Sequence, residues 1–152
     1  MLDTADFAVR LREIIDAHLG LEGPLIPILH AVQAEWGHVP EPAIPLIANA
    51  LNLGRAEVHG VVSFYHDFRG SPAGRTVVKL CAAEACQAQG GRDLVAATLR
   101  AFGLTTYGTT QDGKVTVEPV YCLGLCACGP AAMVDGALKG RATATMLKEA
   151  AP

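Results

Sequence analysis

Through about residue 70 the apolar side chains return every three or four positions, which is the period of an amphipathic helix. Phe7, Leu11, Ile14, Ile15 and His18 share one helical face, and the Gly- and Pro-bearing stretch 20–24 ends it. Leu25, Ile28, Leu29, Val32 and Trp36 form a second stripe, closed by Gly37. "VPEPAIPLIANALNLG" (39–54) opens on prolines, which suit a helix start, and stops at Gly54. A fourth stripe takes in Val58, Val61, Val62, Tyr65 and Phe68. Four short helices predict a small bundle.

"RGSPAGR" (69–75) reads as a linker, and the grammar changes after it. "TVVKLC" (76–81) is a β-branched run ending on a cysteine, and "GRDLVAATLRAFG" (91–103) is a helix with a glycine just past its end. "KVTVEPVYC" (114–122) alternates as a strand and also ends on a cysteine. Asp135-Gly136 marks a hairpin turn between two short apolar runs, and "TATMLKEA" (143–150) fits a terminal helix. Strand, helix, strand, hairpin, helix is an α/β order. The expected organisation is a helical domain over 1–70 and an α/β domain over 71–152, with no repeats or low-complexity tract.

Composition narrows the function classes. With 152 residues, 51% of them hydrophobic and 18% charged, the chain can bury a core. A net charge of −3 argues against nucleic acid, which a basic face must grip to release counterions. The N-terminal stretch has acids and no continuous apolar run, so it does not read as a signal peptide, and no run is long enough for a membrane span. The expected location is cytoplasmic, where stable disulfides are rare. Five cysteines there mean buried thiols, metal ligands or redox chemistry.

Four of the five come in two spaced pairs. Cys81 and Cys86 are C-x4-C at the end of the first strand; Cys122 and Cys126 are C-x3-C at the end of the second, after 35 intervening residues. In a parallel layout adjacent strand ends put such loops side by side, where ligands usually bind. Four thiolates suit a structural zinc or an iron–sulfur cluster. A single zinc favours tight C-x2-C knuckles, and these loops are wide for it, which favours a binuclear cluster without excluding zinc. The lining "CLGLCACGP" is small and apolar with two glycines, so backbone N–H groups could reach the sulfurs. The helix beginning near Gly90 would turn its positive end toward the site. A thioredoxin-type dithiol needs C-x-x-C, and neither loop has it; Cys126 and Cys128 are only C-x-C.

The remaining candidates are weaker. His18, His30, His38, His59 and His66 all lie well away from the cysteines in sequence, so no mixed His/Cys loop is visible. His59 and His66 read as surface or capping residues, Glu84 as solvated and Tyr121 as packing beside Cys122. "RGSPAGR" lacks the glycine–lysine signature of a phosphate loop.

"CAAEAC" with "CLGLC", preceded by "LIPILHAVQAEWGHVP" and "VVSFYHDF", resembles the thioredoxin-like [2Fe–2S] ferredoxins. These include the 24 kDa subunit of respiratory NADH dehydrogenase and relatives in NAD-linked hydrogenases and formate dehydrogenases. The resemblance covers nearly the whole chain and implies a helical part followed by a thioredoxin-like domain. It also implies a [2Fe–2S] cluster held by Cys81, Cys86, Cys122 and Cys126. "SFYHDFR", "KLCAAEACQAQGG" and "CLGLCACGPAAMVDG" look most like the gamma subunit of NAD-dependent, molybdenum-containing formate dehydrogenase. An electron-transfer subunit is thereby implied, with its cluster near the FMN of an NAD-binding flavoprotein and formate oxidised on a separate molybdenum subunit. No substrate pocket or general acid–base pair is expected on this chain. A structural-zinc interaction domain and a thiol-redox protein are the rival classes. Cys128 falls outside the four-ligand pattern; it reads as a small apolar residue ahead of Gly129-Pro130, or as a weak S–H donor to the cluster. Four helices exceed what four cysteines need and suggest a docking surface for a larger protein.

Overall fold

A computed structural model of the chain describes residues 4–151; residues 1–3 and 152, together with what the sequence reading says of them, lie outside the described residues. The chain divides into two compact units, Met1–Pro72 and Ala73–Pro152.

The first unit holds α1 (Thr4–His18), α2 (Leu25–Trp36), α3 (Ala43–Ala50) and α4 (Arg55–Phe64). Their stripes meet in one core: Leu11, Ile28, Leu29, Val32, Ile47 and Val58 are fully buried, and Phe7 packs on Trp36 with ring centroids 4.8 Å apart. Each such side chain contributes about 1.5–3 kcal/mol by leaving water. Gly37 closes α2 in the left-handed conformation (φ 73°), its N–H donating to the Gln33 carbonyl at 2.7 Å.

Two boundaries differ from the sequence reading. Gly54 does not end α3, which stops at Ala50; it opens α4, and its N–H donates to the Glu57 carboxylate at 2.6 Å. The fourth stripe leaves the helix after Phe64, so Tyr65 is exposed while Phe68 is buried from a non-helical segment. Gln33 holds that segment in place. Its amide donates to the Asp67 carbonyl at 2.7 Å and accepts the Arg69 N–H at 2.8 Å.

The second unit is a five-stranded mixed sheet in the order β2-β3-β1-β4-β5, with helices α5 (Glu84–Ala88), α6 (Gly91–Ala101) and α7 (Ala144–Ala150). The strands are β1 (Thr76–Cys81), β2 (Gly108–Thr109), β3 (Val115–Val120), β4 (Ala132–Val134) and β5 (Ala137–Lys139). The pair β1–β3 is parallel, and the other neighbours are antiparallel. Val78 and Leu80 of β1, Val117 of β3 and Ala132 of β4 are fully buried with Leu147 of α7. Asp135 and Gly136 both take positive φ (46° and 86°), the requirement of the tight hairpin turn. The Asp135 carboxylate also accepts the Val77 N–H at 2.7 Å, which ties the hairpin to β1. Thr143 caps α7, accepting the Met146 N–H at 3.3 Å.

Candidate metal centre

The parallel pair β1–β3 positions the site. Its register sets Cys81 opposite Val120, so the two strands finish level and their loops leave side by side. The Ala82 N–H donates to the Val120 carbonyl at 2.8 Å, carrying the pairing one step beyond the strands. The first loop then turns into α5, a helix that carries Cys86 and that periodicity did not predict. Cys81 ends β1 as expected, whereas the second cysteine pair lies beyond its strand. β3 stops at Val120, and Cys122 sits in a left-handed turn (φ 78°) with Gly124 (φ 76°) close behind. A non-glycine residue rarely adopts that conformation, and such strain gathers at functional sites.

The sulfurs form two pairs. Cys122 and Cys126 lie 3.8 Å apart on the exposed side, while Cys81 and Cys86 are buried and hydrogen-bonded to each other. Burial pushes the Cys81 thiol up, but N–H groups of Ala83, Cys122 and Leu123 and the Cys86 thiol turn toward its sulfur and hold it below the ordinary range. Two of those N–H groups come from the other loop. Burial and the bond to Cys81 push Cys86 the opposite way, against one N–H from Ala131. The Cys122 thiol and its charge raise Cys126. In the buried pair the two shifts run in opposite directions, because the thiol of Cys86 stays protonated while it supports the charge on Cys81. Val120, Leu123, Leu125 and Ala83 wall the buried pair with apolar surface.

Cys128 is half-buried in a 3₁₀ turn. A Cβ on Gly140 would stand 2.8 Å from its sulfur and 3.2 Å from its carbonyl oxygen, so the side chain is seated on the Gly140 backbone. Gly140→Ala is expected to lower stability by about 1–3 kcal/mol, as overpacking does. Cys128→Ala should restore most of that loss in the double variant, read as thermal midpoints; strictly additive effects would contradict the packing.

The other predicted positions stay outside the site. All five histidines belong to the Met1–Pro72 unit: His18 Nδ1 lies 2.7 Å from the Ile14 carbonyl, His30 packs on Phe68, and His59 and His66 are exposed. Glu84 is exposed in the first turn of α5. Tyr121 does not pack beside Cys122 but is 69% exposed, because the chain has already left the sheet there. Sequence reading missed Gln89, whose amide donates to the carbonyls of Ala85 (2.9 Å) and Cys126 (2.8 Å), and Gly91, whose Cα abuts the Cys86 carbonyl. The first turn of α6 therefore meets the cysteine loop through its backbone.

The family model of the thioredoxin-like [2Fe–2S] ferredoxins matches residues 11–151. The chain belongs to that family. An NADH-quinone oxidoreductase subunit from Pseudomonas aeruginosa is 36% identical over 110 residues, 72% of this chain and 66% of its own length. The NADP-reducing hydrogenase subunit HndA of Solidesulfovibrio fructosivorans is 30% identical over 128 residues, covering 84% of this chain and 75% of its own length. An NAD+-reducing [NiFe]-hydrogenase crystal structure shares the fold at a TM-score of 0.65 and 24% identity, over 80% of this chain and 22% of the hydrogenase chain. This ferredoxin-family chain thus spans a little under two-thirds of the length of its Pseudomonas relative and a fraction of the [NiFe]-hydrogenase chain.

The family's cofactor is a [2Fe–2S] cluster, and the donor set fits one. A binuclear cluster asks about two thiolates of each iron, and the thiols stand in pairs. The backbone N–H groups on Cys81 and Cys86 are the donors that would spread charge over ligand sulfurs.

Proposed function

We propose that the chain is the [2Fe–2S] electron-transfer subunit of a multisubunit, NAD-linked oxidoreductase, exchanging electrons with the FMN of a flavoprotein partner that binds NAD. The observation that carries this reading is the pairing of thiols in the two loops that leave the level ends of parallel β1 and β3, in a chain of this family. In this reading Cys81 and Cys86 hold one iron and Cys122 and Cys126 the other. When bound, the cluster takes up and releases a single electron. The residues do the rest: N–H groups of Ala83, Cys122, Leu123 and Ala131 steady the sulfurs, and the apolar wall limits water on the buried side. The exposed pair faces outward, the side from which a partner's flavin would approach. We also place the complex in the cytoplasm; no helix among the described residues is long and apolar enough to cross a membrane.

The similarity to the Pseudomonas NADH-quinone oxidoreductase subunit and to HndA, a subunit of an NADP-reducing hydrogenase, favours a complex of the NADH-quinone oxidoreductase or nicotinamide-linked hydrogenase kind. The motifs "KLCAAEACQAQGG" and "CLGLCACGPAAMVDG" favour a second reading, the gamma subunit of a molybdenum-containing formate dehydrogenase. Anaerobic purification of the complex from its own host tests both. We expect about two irons and two labile sulfides per copy of this chain and a one-electron EPR signal only after reduction. An FMN- and NAD-binding flavoprotein should co-purify. Molybdenum with formate-dependent NAD reduction would select the formate dehydrogenase; nickel with hydrogen uptake, or quinone reduction, would select the others. Stoichiometric zinc without sulfide would overturn the electron-transfer reading.

A further inference from the structure

We propose that Gln89 is a positioning residue that clasps the two cysteine loops together and sets Cys126 relative to Cys86; the inference rests on the ligand set proposed above. Gln89 caps the C-terminal end of α5, three residues after Cys86, and its N–H donates to the Cys86 carbonyl at 3.1 Å. The Gln89 backbone and Cys86 therefore form one hydrogen-bonded turn. Its side-chain nitrogen spends one hydrogen on the Ala85 carbonyl at 2.9 Å, within the same helix. The other goes to the Cys126 carbonyl at 2.8 Å, in the opposite loop. Both acceptors are carbonyl oxygens, so only the NH₂ end of the amide can stand between them.

Gly129 completes the clasp from the far side. A Cβ there would lie 3.0 Å from the Gln89 nitrogen and 3.1 Å from its amide carbon. The amide thus lies flat on the Gly129 Cα, and a methyl group would lever it away from Cys126. The turn behind it is held by the Cys128 N–H on the Leu125 carbonyl at 3.0 Å. One residue thus links a member of each thiol pair, its backbone N–H on Cys86 and its side chain on Cys126.

The test uses the full-length protein with its cluster bound. Two readouts apply: the rate at which a chelator bleaches the visible absorbance, and the EPR line shape after dithionite reduction. Gln89→Met keeps length and removes both donors; we expect about tenfold faster bleaching and a changed line shape, in line with the loss of hydrogen bonds near the ligands. Gly129→Ala should act in the same direction. In the Gln89→Ala background the Gly129 substitution should add nothing, because the group it displaces has gone. Gln89→Lys, which restores a donor of sufficient reach, should recover much of the cluster lifetime. Wild-type bleaching and EPR in Gln89→Met, or fully additive losses in the double variant, would overturn the clasp. If Gln89→Met proves unstable, Gly129→Ala decides from the opposite loop. Failure of the ligand set looks different: the wild-type chain would lack iron and sulfide, or Cys126→Ser would keep both.

Discussion

Serine in place of Cys81, Cys86, Cys122 or Cys126 is expected to abolish or gravely weaken cluster retention, while alanine in place of Cys128 leaves iron content and EPR line shape near normal. The hydroxyl is a harder and more basic ligand than the thiol, and iron–sulfur chemistry selects soft donors. Loss of an outer partner of a metal ligand typically costs about 10–100-fold in affinity, and removal of the ligand itself should cost more. The four variants should nonetheless divide into two classes. Cys81 and Cys86 are 3% and 1% exposed, so a hydroxyl there also enters an apolar pocket at a cost of about 1–3 kcal/mol unless the surrounding N–H groups satisfy it. Cys122 and Cys126 are exposed, and their serine variants should keep the thermal midpoint of the cluster-free protein. Cys128, seated on Gly140, has no place in either class. Iron lost in Cys128→Ala but kept in Cys126→Ala would reverse the assignment of the second pair.

The second large effect is expected at Gly91, which is not a metal ligand at all. Gly91 begins α6 and is buried. By helix propensity alone alanine there would be favoured by about 1 kcal/mol. Position opposes this, since a Cβ would stand 2.8 Å from the Cys86 carbonyl oxygen and 3.0 Å from its carbon. Those atoms are backbone and cannot swing aside as the end of a flexible side chain can. Either α6 retreats from the sheet or Cys86 moves, and overpacking of this kind costs about 1–3 kcal/mol, enough to outweigh the propensity gain. Gly91→Ala should therefore lower the thermal midpoint and lose or distort the cluster, and Gly91→Val should do so more severely. A higher midpoint with full iron content in Gly91→Ala would mean that the contact relaxes freely.

How far residues alone lead depends on how local each feature is. The stripes of α1 and α2, the β-branched run of β1 and the Asp135-Gly136 turn are written within a few neighbours, because helix period, strand propensity and a left-handed turn are short-range properties. The pairing Cys81/Cys86 and Cys122/Cys126 was legible for the same reason, since each loop's spacing is local. Features with too little length escaped notice. α5 has five residues and β2 two, less than any periodic pattern needs to declare itself. Gly54 was ambiguous, because glycine can end one helix or begin the next, and only the bond from its N–H to Glu57 decides between them.

Residue order alone thus specifies a helical part, an α/β part and two thiol pairs of cluster-like spacing. What brings those pairs together arises only on folding: the parallel register that ends Cys81 level with Val120, and N–H groups crossing from one loop to the sulfur of the other. Folding also seats Cys128 on Gly140 and sets Gln89, Gly91 and Gly129 against the cysteine loops. Those residues act on groups that arrive from elsewhere in the chain. Their identities are compatible with many surroundings, so only the distances created by folding could single them out.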